Sequence, residues 1–157
     1  MKILSKNIIP QGFKLSGLHC GIKREKKDLG LIYSDSPALA AGLFTTNKMQ
    51  SASVKICKKN IANKIQAVIV NSGNANCGIP QGIKDAFLLC ELIAKELKIK
   101  KSDVLPASTG LIGLPLPMGK IKKGVPFLIN QLEEKSDDFA QAILTTDKVT
   151  KDRKSVV

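Results

Sequence analysis

The chain has 157 residues, a formal net charge of +12 and 43% hydrophobic residues, which is typical of one globular domain. Aromatic residues make up only 4% and Trp is absent, so the predicted core is aliphatic, as in domains that layer helices on a sheet. No apolar run has the length of a signal peptide or a membrane span. These features argue against secreted and membrane-spanning classes and predict a cytoplasmic protein.

The positive charge raises a nucleic-acid-binding hypothesis. Against it, aromatic residues do not alternate with the lysines, and Arg24 and Arg153 are the only arginines. Recognition of bases and phosphates favours Arg and stacking rings. Solvated lysine-rich faces are the simpler explanation, although a missing acidic partner segment would leave the same excess. We therefore predict neither a nucleic-acid nor a membrane partner.

The cysteines have no metal-binding or redox spacing. Cys20, Cys57, Cys77 and Cys90 are all far apart in the chain, unlike a zinc knuckle or a Cys-x-x-Cys motif. Without a secretory signal, reduced and buried thiols are expected rather than disulfides. The sequence predicts no metal and no bound cofactor.

The first third of the chain has the pattern of an antiparallel meander. Residues 12–21 predict a strand, residues 23–27 a charged hairpin tip, and Leu29–Ser34 and Ala40–Thr45 two further strands. Short turns between consecutive strands favour antiparallel pairing.

The rest of the chain alternates helices and strands. Residues 50–62 predict a helix, Ala67–Val70 a buried strand followed by a polar loop, and residues 82–98 the clearest helix. The inward positions predicted for that clearest helix are Ile83, Ala86, Phe87, Cys90, Ile93, Ala94 and Leu97.

The remaining elements complete the prediction. Val104–Ala107 predicts another strand, ending in a turn at Ser108-Thr109-Gly110, and residues 120–134 predict a helix that Pro126 either kinks or starts. Ser136 is expected to cap a short last helix that reaches Leu144. Together these elements predict an α/β fold with a layered, mixed sheet. If the two strands that precede small polar loops are neighbours, both loops lie at one edge of the sheet.

The pair Thr109-Gly110 is the main candidate for chemistry. A threonine hydroxyl and the next backbone N–H can donate to one oxygen, as acyl transfer requires when an oxyanion develops. The alternative is an ordinary capping or turn hydroxyl. A base is not evident, because His19 is the only histidine and Glu133-Glu134 and Asp137-Asp138 look solvated. The glycines have neither the P-loop nor the dinucleotide-binding pattern.

Several segments, in order, resemble the ornithine acetyltransferase family, which makes N-acetylglutamate in arginine biosynthesis. The matching segments are Gly12-Phe13-Lys14, Gly21-Ile22-Lys23, Asp28-Leu29-Gly30-Leu31-Ile32, Ala41-Gly42-Leu43-Phe44-Thr45-Thr46-Asn47, Val70-Asn71-Ser72-Gly73-Asn74-Ala75-Asn76, Ser108-Thr109-Gly110-Leu111-Ile112-Gly113 and Ile143-Leu144-Thr145-Thr146-Asp147. They extend over nearly the whole chain, and the Asn-Ser-Gly-Asn-Ala-Asn and Ser-Thr-Gly segments are the most specific.

This resemblance implies a self-cleaving precursor whose new N-terminal threonine is the nucleophile, with its own amine as base. Acetyl would pass from N-acetylornithine to that threonine and then to glutamate, and some members also accept acetyl-CoA as a substrate. Thr109 and Gly110 would form the oxyanion hole, and Thr146 would contact the substrate. The implied partner is a matching C-terminal (β) chain, in a heterotetramer of two α and two β chains.

The sequence departs from the family at its end, where residues 148–157 form a charged tail without the Lys-Gly stretch and the cleavage threonine. We therefore interpret residues 1–147 as the N-terminal (α) part of such a domain, incomplete and inactive alone. Two alternatives stay open at this point. One is a truncated module that binds an amino acid or a partner without chemistry, and the other is an aminopeptidase of the N-terminal-nucleophile kind.

Overall fold

A computed structural model of the chain describes residues 2–3, 9–135, 137–150 and 155–156. Its centre is a four-stranded mixed sheet in the order β2-β3-β4-β5, and a separate two-stranded ladder joins β1 to β6. The helices and strands are β1 (Lys2–Ile3), β2 (Phe13–Leu18), β3 (Leu29–Ala38), α1 (Ala52–Asn60), β4 (Ile65–Asn74), α2 (Gly82–Leu97), β5 (Val104–Leu111), α3 (Met118–Asn130), α4 (Asp137–Ala142) and β6 (Ser155–Val156).

The predicted meander is confirmed, with one wrong strand. β2, β3 and β4 pair antiparallel in sequence order. The third strand of the meander is β4, however, and the predicted strand Ala40–Thr45 is irregular backbone. Leu39 and Leu43 in this region are 88% and 104% exposed. The segment has no strand partner because β4 already occupies the free side of β3.

The core lies between one face of the sheet and three helices. Buried side chains of β3, β4 and β5 pack there against α1, α2 and α3, and Leu31, Ile69, Val104, Ile93 and Ile121 are wholly enclosed. This confirms the predicted aliphatic core. Along α2 the inward positions are Ala86, Leu89, Cys90, Ile93 and Ala94, whereas Ile83 and Phe87 are over a third exposed at its rim.

The opposite face of the sheet carries the short helix α4. Its approach requires two glycines that pair across β2 and β3, Gly17 and Gly30. A Cβ on Gly17 would lie 2.1 Å from the Asp138 carbonyl oxygen, and one on Gly30 would lie 2.9 Å from the Phe139 ring. Because Gly17 and Gly30 have no side chains, α4 can contact the backbone of β2 and β3 directly.

The last two helices differ in detail from the prediction. α3 begins at Met118, so Pro126 lies inside the helix and not at its start. Pro126 cannot donate to the Lys122 carbonyl, but Ile121, Val125 and Leu128 keep the helix packed on the core. α4 ends at Ala142, and the predicted cap Ser136 lies outside the described residues.

Candidate active site

The polar segment 71–76 and the Ser108-Thr109-Gly110 segment lie side by side, as predicted, because β4 and β5 are parallel neighbours. Ser72 pairs with Thr109 and Gly73 pairs with Gly110. The expected loop and turn were wrong in one respect, since both motifs continue their strands, to Asn74 in β4 and to Leu111 in β5. Polar residues therefore line the carboxyl ends of two parallel strands, a common place for ligand sites.

On the face of the sheet that packs against α1, α2 and α3, polar side chains form hydrogen bonds between a helix and the strands. Ser108 Oγ donates to Asn71 Oδ1 at 2.6 Å. Ser53 Oγ in α1 lies 2.8 Å from Ser108 Oγ and is the donor, since Ser108 gives its own proton to Asn71. Asn71 is fully buried, so this chain of hydrogen bonds locks α1, β4 and β5 together.

The other two asparagines of the motif have structural partners as well. Asn74 Nδ2 donates to the Leu114 carbonyl at 3.0 Å, and Asn76 Nδ2 donates to the Gly82 carbonyl at 2.9 Å. Of the three asparagines, only Asn76 has a left-handed backbone, with φ of 48°. These contacts explain the buried asparagines as supports of the strand ends.

Thr109 lies on the other face of the sheet, beside α4. Paired residues of neighbouring strands project to the same face, so Thr109 lies next to Ser72. Ser72 Oγ donates to the Ala142 carbonyl at the end of α4. Thr109 is half-buried and Gly110 is exposed, so neither is sealed inside the core.

The Gly110 amide faces the outer edge of β5. The Leu111 carbonyl accepts from Ala75 N at 2.8 Å and so points towards β4. The Val104 and Pro106 carbonyls instead accept from Asn60 Nδ2 and Cys57 Sγ in α1. Along a strand, the N–H and C=O of successive residues point to opposite sides. Gly110 therefore points to the same side as Val104 and Pro106, opposite to Leu111. Its N–H therefore points away from β4, on the side where the described part of the chain has no further strand.

In the described part of the chain, His19 and Cys57 each have another partner and are not placed as a nucleophile for Thr109 and Gly110. The Cys57 thiol, which contacts β5, donates to the Pro106 carbonyl, and burial raises its pKa to about 11. His19 directly follows β2, which is the edge strand opposite β5, and its Nδ1 lies 3.0 Å from the Lys26 carbonyl. The fold also brings Asp28 Oδ2 to 3.4 Å from His19 Nδ1. Among the described residues no cluster of three or more potential ligands could hold a metal ion.

The loop between β2 and β3 is organised by one buried carboxylate, Asp28, which sequence reasoning did not single out. Asp28 is fully buried and accepts backbone N–H bonds from Cys20 at 2.7 Å, Gly21 at 3.1 Å and Lys23 at 2.9 Å. Its own carbonyl accepts from Ser72 N at 2.9 Å. Asp28 thus ties this loop to the end of β4, beside the candidate site.

We expect Asp28→Asn to lower the free energy of unfolding by about 3 kcal/mol, because an amide cannot replace a buried carboxylate that accepts three N–H bonds. Urea unfolding measures the change. Asp35→Asn is the matched control, since the partner given for the exposed Asp35 carboxylate among the described residues is Lys14, itself exposed, and its effect should be far smaller. Similar losses in the two variants would contradict the anchoring role of Asp28.

Thr146 is exposed and follows α4 in irregular backbone. Ser72, which lies next to Thr109, donates a hydrogen bond to the Ala142 carbonyl, four residues before Thr146. A second contact joins the Lys23 ammonium to the Leu144 carbonyl. The fold therefore brings the stretch that leads to Thr146 onto the face and strand end that carry Thr109.

A hydroxyl-bearing residue, Thr109, and an outward-facing amide, that of Gly110, are thus adjacent at the end of β5. A model of the ArgJ family matches residues 14–157. The chain belongs to this family.

Two curated relatives show the extent of the match. The arginine biosynthesis bifunctional protein ArgJ of Bacillus cereus is 46% identical over 149 residues, which cover 92% of this chain and 37% of the relative. The ArgJ protein of Staphylococcus epidermidis is 48% identical over 155 residues, covering 96% of this chain and 38% of the relative. The chain thus spans a little over a third of the length of these relatives.

Solved structures agree with the fold. A crystal structure of ArgJ from Bacillus halodurans has a TM-score of 0.88 and 39% identity, covering 94% of this chain and 81% of that chain. Ornithine acetyltransferase from Mycobacterium tuberculosis, crystallised with ornithine, has a TM-score of 0.89 and 34% identity, covering 94% and 84%. The α/β fold of this family is therefore confirmed. In the part of the chain that the structure describes, the helices are too short or too polar to cross a bilayer.

Proposed function

We propose that this chain is the N-terminal part of an acetyltransferase that moves acetyl from N-acetylornithine to glutamate. Its own contribution is the oxyanion hole, with the Thr109 hydroxyl and the Gly110 N–H as the two donors. The observation that carries the proposal is the placement of Gly110, whose amide faces away from β4 at an exposed strand end. A donor that no neighbouring strand uses is available to a developing negative charge.

The threonine nucleophile and its α-amine base belong to the partner, a matching C-terminal chain, and acetyl-CoA is a further candidate substrate. Thr146 contributes to binding the amino-acid substrate. The neighbour crystallised with ornithine supports a substrate of this class. Since the 157 residues correspond to about 37% of the relatives, the isolated chain is expected to be inactive. The complete assembly contains two α and two β chains.

Reconstitution tests this function. The chain is co-expressed with the C-terminal portion of the Bacillus cereus relative, and transfer of acetyl from N-acetylornithine to glutamate is measured. We expect transfer by the pair and none by either part alone. Transfer by the isolated chain would contradict the assignment of the nucleophile to the partner. A stable complex without transfer would contradict the assignment of this chain to the catalytic assembly.

A further inference from the structure

Lys23 connects three regions of the fold that are distant in sequence. Its backbone N–H donates to Asp28 Oδ2 at 2.9 Å, which fixes the residue in the loop between β2 and β3. Its ammonium group donates to the Leu144 carbonyl and, at 3.1 Å, to the Lys27 carbonyl. The loop, the end of β4 and the segment after α4 therefore meet at one side chain.

The stem of Lys23 crosses the strand end beside Gly110. A Cβ on Gly73 would lie only 3.0 Å from Lys23 Cγ, and Gly73 is the register partner of Gly110. The side chain thus passes close over β4 before it reaches Leu144. A small residue at position 73 leaves room for this path.

The ammonium group contacts carbonyls and makes no ion pair within the described ranges. Lys23 is half-buried, and this burial lowers its pKa, while the nearby Asp28 carboxylate raises it. A partly desolvated ammonium group needs its acceptors, because hydrogen bonds from a charged donor are stronger than neutral ones. The contact is therefore suited to holding a segment of backbone in place.

We propose that Lys23 is a positioning residue that holds the Leu144 carbonyl against the end of β4 and so keeps Thr146 beside the Thr109–Gly110 pair. The inference rests on the proposed function in one respect, the substrate contact of Thr146. Ser72 fixes Ala142 at the end of α4, and Lys23 fixes the chain two residues further on. Lys23 acts on catalysis only through the placement of this segment.

Hydrogen exchange of the 157-residue chain tests the positioning directly. In Lys23→Met, which keeps the stem and removes the charge, the amides of Ile143 and Leu144, which donate to the Phe139 and Gln141 carbonyls, should exchange at least about tenfold faster, as expected for loss of a charge-assisted hydrogen bond. Lys23→Arg should restore slow exchange. Lys26→Met, an equal charge change at an exposed neighbour, should have no effect. Unchanged exchange in Lys23→Met, or equal acceleration in α2, would overturn the proposal.

The reconstituted enzyme separates this proposal from the proposed function. Lys23→Met should raise KM for N-acetylornithine about tenfold and change kcat by less than about twofold, since a misplaced binding residue weakens substrate binding more than chemistry. If the amides of Ile143 and Leu144 exchange faster while KM stays constant, the substrate role of Thr146 fails and the contact of Lys23 stands. If exchange is unchanged, Lys23 has no positioning role, whatever the activity of the reconstituted enzyme.

Discussion

Gly110→Ala is expected to lower the free energy of unfolding by about 3 kcal/mol or more. The backbone of Gly110 has φ of +136°, which L side chains rarely adopt. A Cβ there would lie 2.3 Å from the Gly73 carbonyl carbon and 2.5 Å from Asn74 N. Because both atoms are backbone, no rotation of a side chain relieves the clash, and β4 and β5 have to separate.

Gly113→Ala isolates the cost of the clash from the cost of the backbone angle. Gly113 also has a positive φ, +81°, but a Cβ at this position would meet nothing within 4 Å. Its loss should be about 1–2 kcal/mol. Urea unfolding of both variants gives the comparison, and equal losses would mean that the close approach of β5 to β4 does not constrain position 110.

The second large effect is expected for Thr109→Ala in the reconstituted enzyme. Loss of one oxyanion donor should lower kcat by about 10²–10³-fold, which corresponds to about 2.7–4 kcal/mol of transition-state stabilisation. Thr109 is half-buried and has no part in the network around Asn71. The free energy of unfolding should therefore change by less than about 0.5 kcal/mol.

Two further variants make this result specific. Thr109→Ser keeps a hydroxyl at the same position and should retain most of the activity. Thr46→Ala removes an exposed hydroxyl from the irregular segment after β3 and should leave the kinetics unchanged. Full activity of Thr109→Ala would show that the hydroxyl is not a donor to the oxyanion, and the Gly110 amide would then act without it.

The helices could be predicted from the sequence because their pattern is local. Residues 82–98 repeat apolar side chains at helical spacing, and α2 occupies Gly82–Leu97. The exposed fractions of Ile83 and Phe87 were not predictable in this way, since they depend on how far α1 and α3 extend over the rim. A local pattern predicts whether a segment is a helix or a strand, but not which other elements pack against it.

The ends of β4 and β5 could not be predicted in the same way. Asn71 and Ser72 look like loop residues in the sequence, but they are buried because their partners come from elsewhere. Asn71 bonds Ser108, which is 37 residues away, and Ser72 bonds Ala142, which is 70 residues away. Polar side chains with distant partners can occupy a strand interior, and only the fold shows those partners.

The same limit applies to the support of the candidate site. Thr109 and Gly110 are proposed as site residues from the chemistry of two adjacent residues, which is local information. The contact of Lys23 with Leu144 spans 121 residues, so the sequence showed Lys23 only as part of a charged hairpin tip. The resemblance of Gly21-Ile22-Lys23 and of Asp28 to the family was the one signal that these positions matter.

The outer edge of β5 has a consequence for how the isolated chain behaves at high concentration. Over its first half the edge is blocked, because Asn60 and Cys57 cover carbonyls and Pro106 has no N–H to offer. Beyond Ser108 none of the described strands pairs with the edge, which is followed by the exposed side chains of Leu111, Ile112 and Leu114. An unguarded apolar edge templates strand addition between copies. Self-association of the isolated chain should therefore begin at this short stretch. The Gly110 N–H, which we propose as an oxyanion donor, would there pair with a strand of another copy.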